Sequence, residues 1–114
     1  MSDADFKPNL YKDNPGAIAA YLTEKFSEND HPEVLRAINR VMRSQNVQAI
    51  ARETGLRRDR LYKTFGGKID PQLGRVMALF EGFGVCLSVT PAPPRERPPR
   101  PKIGRPPKRK TGAN

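Results

Sequence analysis

The sequence predicts an all-α fold: a helix-turn-helix domain of about five helices with one short C-terminal strand, followed by a disordered basic tail. Three observations carry that prediction. Residues 46–65 hold two short apolar stripes of helical spacing on either side of Gly55. Asn14-Pro15, Asp30-His31-Pro32 and Asp70-Pro71 each put a capping side chain next to a proline ahead of another such stripe. From Thr90 onward the chain has eight prolines, eight Lys or Arg, one Ile and no aromatic, so it lacks the apolar area to fold alone. The organisation is therefore an arm over residues 1–13, a domain over 14–89 and a tail over 90–114.

The arm is polar, with Phe6, Leu10 and Tyr11 as its only large apolar side chains. The first helix starts at Asn14-Pro15, where the missing proline N–H removes no helical bond, and shows Ile18, Tyr21, Leu22 and Phe26 on one stripe. Glu24, Lys25 and Glu28 fall outside it. The stripe reads as core, or alternatively as a groove for a partner that so polar an arm would leave open. In the second helix Val34, Leu35, Ile38, Val41 and Met42 form the inward face. Arg36, Arg40 and Arg43 make a basic ridge on another face, suited either to solvent or to phosphate. His31, the single histidine, has no ligand cluster around it and reads as structural.

In the helix-turn-helix, Val47, Ile50 and Ala51 face inward from the first helix, and Gly55 supplies the turn, where a residue must leave with φ > 0. Leu56 packs under the corner, and Leu61 and Phe65 anchor the second helix. Arg57, Arg58, Asp59, Tyr62 and Lys63 then point away from the core, and in this motif the second helix enters the DNA major groove. With Gln48 on the first helix, these are the candidate DNA-contacting residues of the domain. Gly66-Gly67 ends the second helix. Asp70-Pro71 is expected to cap the next, whose buried stripe is Leu73, Val76, Met77 and Phe80 and whose end is Gly84.

Val85-Cys86-Leu87-Ser88-Val89 alternates with period two, which predicts a short strand. A lone strand needs an edge, so it is expected to pair with the arm or with a second copy in a homodimer. Cys86 reads as a small hydrophobe. In the tail, Gly104-Arg105-Pro106 among basic residues is similar to an AT-hook. Arg105 suits the negative potential of a narrow A·T minor groove, although Ile103 stands where such hooks usually have a second arginine.

Charge follows the same division. The chain carries +9 overall with a pI near 10.2. Residues 34–68 hold nine Lys or Arg against two acids and residues 90–114 hold eight against one, whereas residues 1–33 hold three against seven. Such a balance favours polyanions, above all double-stranded DNA. One cysteine excludes an internal disulfide, and no apolar run reaches membrane length, so a cytoplasmic, nucleoid-associated protein without a membrane partner is expected. No grouping of nucleophile and base, metal ligands or phosphate-cradling glycines points to an enzyme or a cofactor.

Ala17-Ile18-Ala19-Ala20-Tyr21-Leu22, His31-Pro32-Glu33-Val34-Leu35, Ile50-Ala51-Arg52-Glu53-Thr54-Gly55-Leu56, Leu61-Tyr62-Lys63 and Leu87-Ser88-Val89, in that order, resemble the HigA-like antidote (antitoxin) family of bacterial addiction modules over about residues 6–89. The resemblance implies a helical DNA-binding protein that represses its own operon and neutralises a RelE/HigB-like toxin encoded beside it. Two departures stand out: members often have Ser where Arg57 stands, and they usually stop near Val89. The alternative is a stand-alone prophage-type regulator, or an AT-hook-like architectural DNA-binding protein, with no toxin partner.

Overall fold

Helix α1 (Pro15–Ser27) begins where Asn14 Oδ1 accepts a hydrogen bond from the Ala17 N–H at 3.2 Å, with Pro15 at the first helical position. Helix α2 (His31–Ser44) repeats the device, Asp30 Oδ1 accepting from the Glu33 N–H. The shorter α3 (Val47–Thr54) and α4 (Arg58–Thr64) follow, and α5 (Leu73–Phe83) ends on Gly84 in the left-handed region. The computed structural model describes residues 5–92, and within them the regular structure is these five helices and a 3-10 turn at Pro8–Leu10. Helix α1 lies on α2 and α3 lies on α5. One core joins all five helices, its most deeply buried large side chains being Ile18, Ile38, Val41, Met42, Leu61 and Leu79.

Glu33, in the first turn of α2, joins α1 to α2. Its Oε2 receives Lys25 Nζ of α1 at 3.2 Å and Arg40 Nη1 at 3.0 Å, and its Oε1 receives Arg36 Nε at 3.0 Å. Arg40 Nη1 also donates to the Tyr21 hydroxyl oxygen at 3.0 Å. Lys25 and Arg40 are both buried, and a buried charge survives only when paired and hydrogen-bonded. The Arg40 hydrogen bond, helped by those of Arg36 and Lys25, outweighs burial and holds the Glu33 carboxyl down at about 2. For Lys25, burial works against the charged form, but the Glu33 hydrogen bond and the charges of Glu28 and Glu33 prevail and push its pKa up.

Several expectations are corrected here. Lys25, expected outside the α1 stripe, is buried, while Phe26, expected inside it, is exposed and meets Phe80 edge-on at 6.2 Å. The basic ridge does not exist as a unit: Arg40 is inside the Glu33 cluster, Arg36 is held at its rim, and only Arg43 points elsewhere. Sequence periodicity places a side chain on a face but does not show where a long cation bends to reach a carboxylate. The described part of the arm covers the domain. Phe6 is buried, stacks on Tyr11 with centroids 4.8 Å apart and meets Tyr21 at 5.4 Å. Gln45 staples this part down, its Nε2 donating to the Tyr11 carbonyl at 2.9 Å and its Oε1 accepting from the Asp13 N–H at 3.1 Å. Two aromatic rings bury enough area to hold a segment whose average composition is polar.

Helix α5 starts later and faces differently than the spacing suggested. Gln72, not Asp70, precedes it and supplies no side-chain cap, while Asp70 pairs with His31 Nε2 at 3.2 Å. The buried stripe is Val76, Leu79, Phe80 and Phe83, and Leu73 and Met77 are exposed. Gly82 decides between the two overlapping stripes. A Cβ there would lie 3.0 Å from Thr54 Cγ2 and 3.3 Å from Ile50 Cγ2, so α3 crosses α5 closely at this glycine and turns its neighbours inward. Residues 85–89, expected as a strand, pair with no other segment among the described residues. The Val85 N–H bonds back to the Phe80 carbonyl at 3.0 Å, and the arm is coiled into a 3-10 turn at Pro8–Leu10. The expected tail over 90–114 lies outside the described residues from position 93 on.

A carboxylate held near 2 in the folded state against an ordinary value of 4.5 stabilises the fold fully above that ordinary value, and the gain is lost as pH falls from 4.5 towards 2. The shift corresponds to about 3 kcal/mol. Urea unfolding at stepped pH should therefore show wild-type stability dropping by that order between pH ~5 and ~2, and Glu33→Gln should be destabilised already at neutral pH and lose most of the acid-dependent slope. An identical slope in the variant would remove Glu33 as the source.

Candidate nucleic-acid interface

The turn between α3 and α4 is built from short polar side chains. Asn46 Oδ1 caps α3 by accepting from the Ala49 N–H at 3.1 Å. Thr54 Oγ1 donates to the Ile50 carbonyl at 2.8 Å and accepts from the Leu56 N–H at 3.3 Å. Gly55 takes φ 76°, its N–H bonded to the Ala51 carbonyl at 3.0 Å, and carries the chain into a second helix without the strain a Cβ would bring. Val47 and Ile50 on α3 and Leu61 with the following Phe65 at α4 are buried, and Ala51 and Leu56 pack partly against them. The two helices therefore have the layout expected from residues 46–65.

With Leu61 and Phe65 inward, α4 turns Arg57, Arg58, Asp59, Arg60 and Lys63 to solvent. Arg57 precedes the helix and gives it no side-chain cap; its Nη2 instead reaches Asp59 Oδ2 at 3.4 Å, an exposed pair worth little to stability. Tyr62 is half-buried, with the Arg58 guanidinium carbon 5.9 Å and that of Arg43, from α2, 5.0 Å from its ring centroid. Gln48 is exposed in the first turn of α3, and among the described residues no side-chain hydrogen bond fixes it. The structure thus brings Arg58, Asp59, Tyr62 and Lys63 onto one short helix, with Arg57 immediately before it and Gln48 on the neighbouring helix. Arg105 lies outside the described residues.

Sequence reasoning missed Arg60, a further exposed cation of α4, and Asn39. Asn39 Nδ2 donates to the Phe65 carbonyl at 2.7 Å and its Oδ1 accepts from Arg43 Nε at 3.2 Å, tying the end of α4 to α2. A lone polar residue amid the apolar spacing of α2, four residues before Arg43, was the available signal. Among the described residues no set of three His, Cys, Asp or Glu is placed to hold a metal ion, and no helix is long and apolar enough to cross a membrane.

Comparison with known proteins adds a family to this layout. The family described as "Probable addiction module antidote protein" matches residues 3–91. The chain belongs to that family. A relative from Haemophilus influenzae (strain Rd), described only as an uncharacterized protein, is 31% identical over 89 residues, covering 78% of this chain and 90% of the relative. No solved structure matches the antidote. Membership of the family carries the coarse function, that of an antitoxin in an addiction module, and implies a toxin partner in general terms.

Removing the Asn39 amide leaves the part-buried Phe65 carbonyl without its partner, at a cost of about 1–3 kcal/mol. Asn39→Ala should lower the urea midpoint accordingly, whereas Gln48→Ala, on an exposed and unattached side chain, should stay within about 0.5 kcal/mol of wild type. Equal effects of the two would contradict the tie between α2 and α4.

Proposed function

We propose that this antidote is a DNA-binding antitoxin that represses its own operon and neutralises a RelE/HigB-like toxin encoded beside it. The observation that carries the DNA-binding part is the outer face of α4, where Arg57, Arg58, Arg60 and Lys63 are exposed and Asp59 is the one acid among them, while Leu61 and Phe65 fasten the helix from behind. A helix held by its inner face and cationic on its outer face fits the major groove, where arginine can bond guanine O6 and N7 together. Arg58 and Lys63 are the residues proposed to read bases, with Arg57, Tyr62 and Gln48 at the edges of the contact.

The same reading assigns two further parts. One short recognition helix spans only a few base pairs, so paired half-sites call for a two-fold partner. Met77 on α5 and Leu87 in the segment 85–89, which line one open groove, together with Leu73 at the start of α5, are exposed and offer apolar area to a second copy. The tail, with eight cations and Arg105 at its hook-like core, adds salt-sensitive affinity without choosing the operator.

Footprinting on the DNA upstream of the protein's own coding sequence tests the proposal. Wild type should protect a discrete site, and Arg58→Ala should weaken that site by roughly 5- to 150-fold, the equivalent of one lost bidentate base contact of about 1–3 kcal/mol, with a smaller loss on random DNA. Equal losses on both would reduce Arg58 to a phosphate contact. Absence of any protected site would overturn self-repression.

A further inference from the structure

Arg43 is the one member of the expected basic ridge that the Glu33 cluster does not absorb, and its surroundings are specific. It sits in the last turn of α2, outside the α3–α4 pair, and its side chain is exposed. Two restraints fix it. Asn39 Nδ2 is committed to the Phe65 carbonyl at 2.7 Å, which orients the amide so that Oδ1 faces Arg43 Nε at 3.2 Å. The guanidinium then lies against the Tyr62 ring, 5.0 Å from its centroid. With Nε and one face engaged, the two Nη groups of this exposed side chain, a planar fork, have no hydrogen-bond partner among the described residues.

The charge around that fork is unbalanced. Arg58 approaches the same ring at 5.9 Å, and among the described residues neither arginine has a carboxylate partner. Two cations sharing one ring repel each other, and an anion beside them relieves that repulsion. A pre-oriented guanidinium fork matches the paired oxygens of a phosphodiester and loses little side-chain freedom on binding it. Groups on the inserted helix meet base edges, whereas groups beside it meet the sugar-phosphate backbone.

We infer that Arg43 grips a backbone phosphate next to the α4 contact, with Asn39 and Tyr62 as positioning residues that aim it. Tyr62 thereby changes role: one ring face holds a guanidinium, and the side chain orients the clamp instead of reading a base. This inference rests on the DNA-binding reading given above. It adds a contact from α2 that fixes the angle at which α4 enters the groove.

The test is fluorescence anisotropy with the full chain, on its own upstream duplex and on a random duplex, across about 50 to 200 mM salt. A single lost phosphate contact lowers the slope of log affinity against log salt by about 0.9, so the deficit of Arg43→Ala should shrink by roughly threefold across that range. The loss should be equal on the two duplexes. Arg43→Gln, which keeps a planar group over Tyr62, should behave in the same way and serves if the alanine variant melts early by circular dichroism. Wild-type binding with an unchanged slope in both variants, or a loss confined to the operator duplex, would overturn the Arg43 clamp and leave the DNA-binding reading intact. Failure of wild type to bind either duplex would overturn both.

Discussion

One carboxylate organises the charge of this small domain. Glu33 takes Lys25 from α1 and Arg36 and Arg40 from α2 on its two oxygens, and two of those three cations are buried. Without it, Lys25 and Arg40 would lose the carboxylate that both of them bond in the interior, and removing a partner from a buried ion pair is strongly destabilising. The cluster therefore acts as a condition on the α1–α2 packing as much as a contribution to it. It also requires Tyr21 to face inward, where its hydroxyl receives Arg40 and its ring supports Phe6 and Tyr11 of the arm. Arm, α1 and α2 are thus one unit, and the long apolar face of α2 is free to receive the remaining helices.

That arrangement sorts the basic residues by consequence. Arg40 is buried on Glu33, and Arg36 is paired with the same carboxylate at the edge of the cluster. Arg43, one turn further along α2, escapes the cluster and stands beside Tyr62. Four exposed cations, Arg57, Arg58, Arg60 and Lys63, lie on or immediately before α4, whose inner face is fastened by Leu61 and Phe65 and whose end is tied to α2 through Asn39. A rigid back and a charged front suit a surface that must meet a regular array of phosphates without rearranging.

What could be read in the sequence were the features set by local chemistry. Asn14-Pro15 and Asp30 gave two helix starts, Gly55 gave the turn, Gly84 gave the last helix end, and Val47, Ile50, Leu61 and Phe65 gave the inner face of the α3–α4 pair. The outward set Arg57, Arg58, Asp59, Tyr62 and Lys63 followed once that inner face was known. What could not be read depended on tertiary contact. The buried side of α5 turns on the close crossing at Gly82, which no spacing rule encodes. Lys25 and Arg40 looked like surface cations because their partner, Glu33, lies eight and seven residues away and only the fold brings all three together. The alternation at 85–89 fits a strand, but pairing is a property of two segments and so is not written in either one alone.

The central claim is that α4, with Arg43 at its side, is the face this antidote turns toward DNA. Titration of isotope-labelled protein with a short duplex from its own upstream region, followed by amide and arginine side-chain NMR shifts, addresses it residue by residue. The account predicts the largest shifts at residues 57–63 and at the Arg43 guanidinium, with the Glu33 cluster unmoved. Shifts confined to α1 or to the exposed Leu73 and Met77 side of α5 would contradict it.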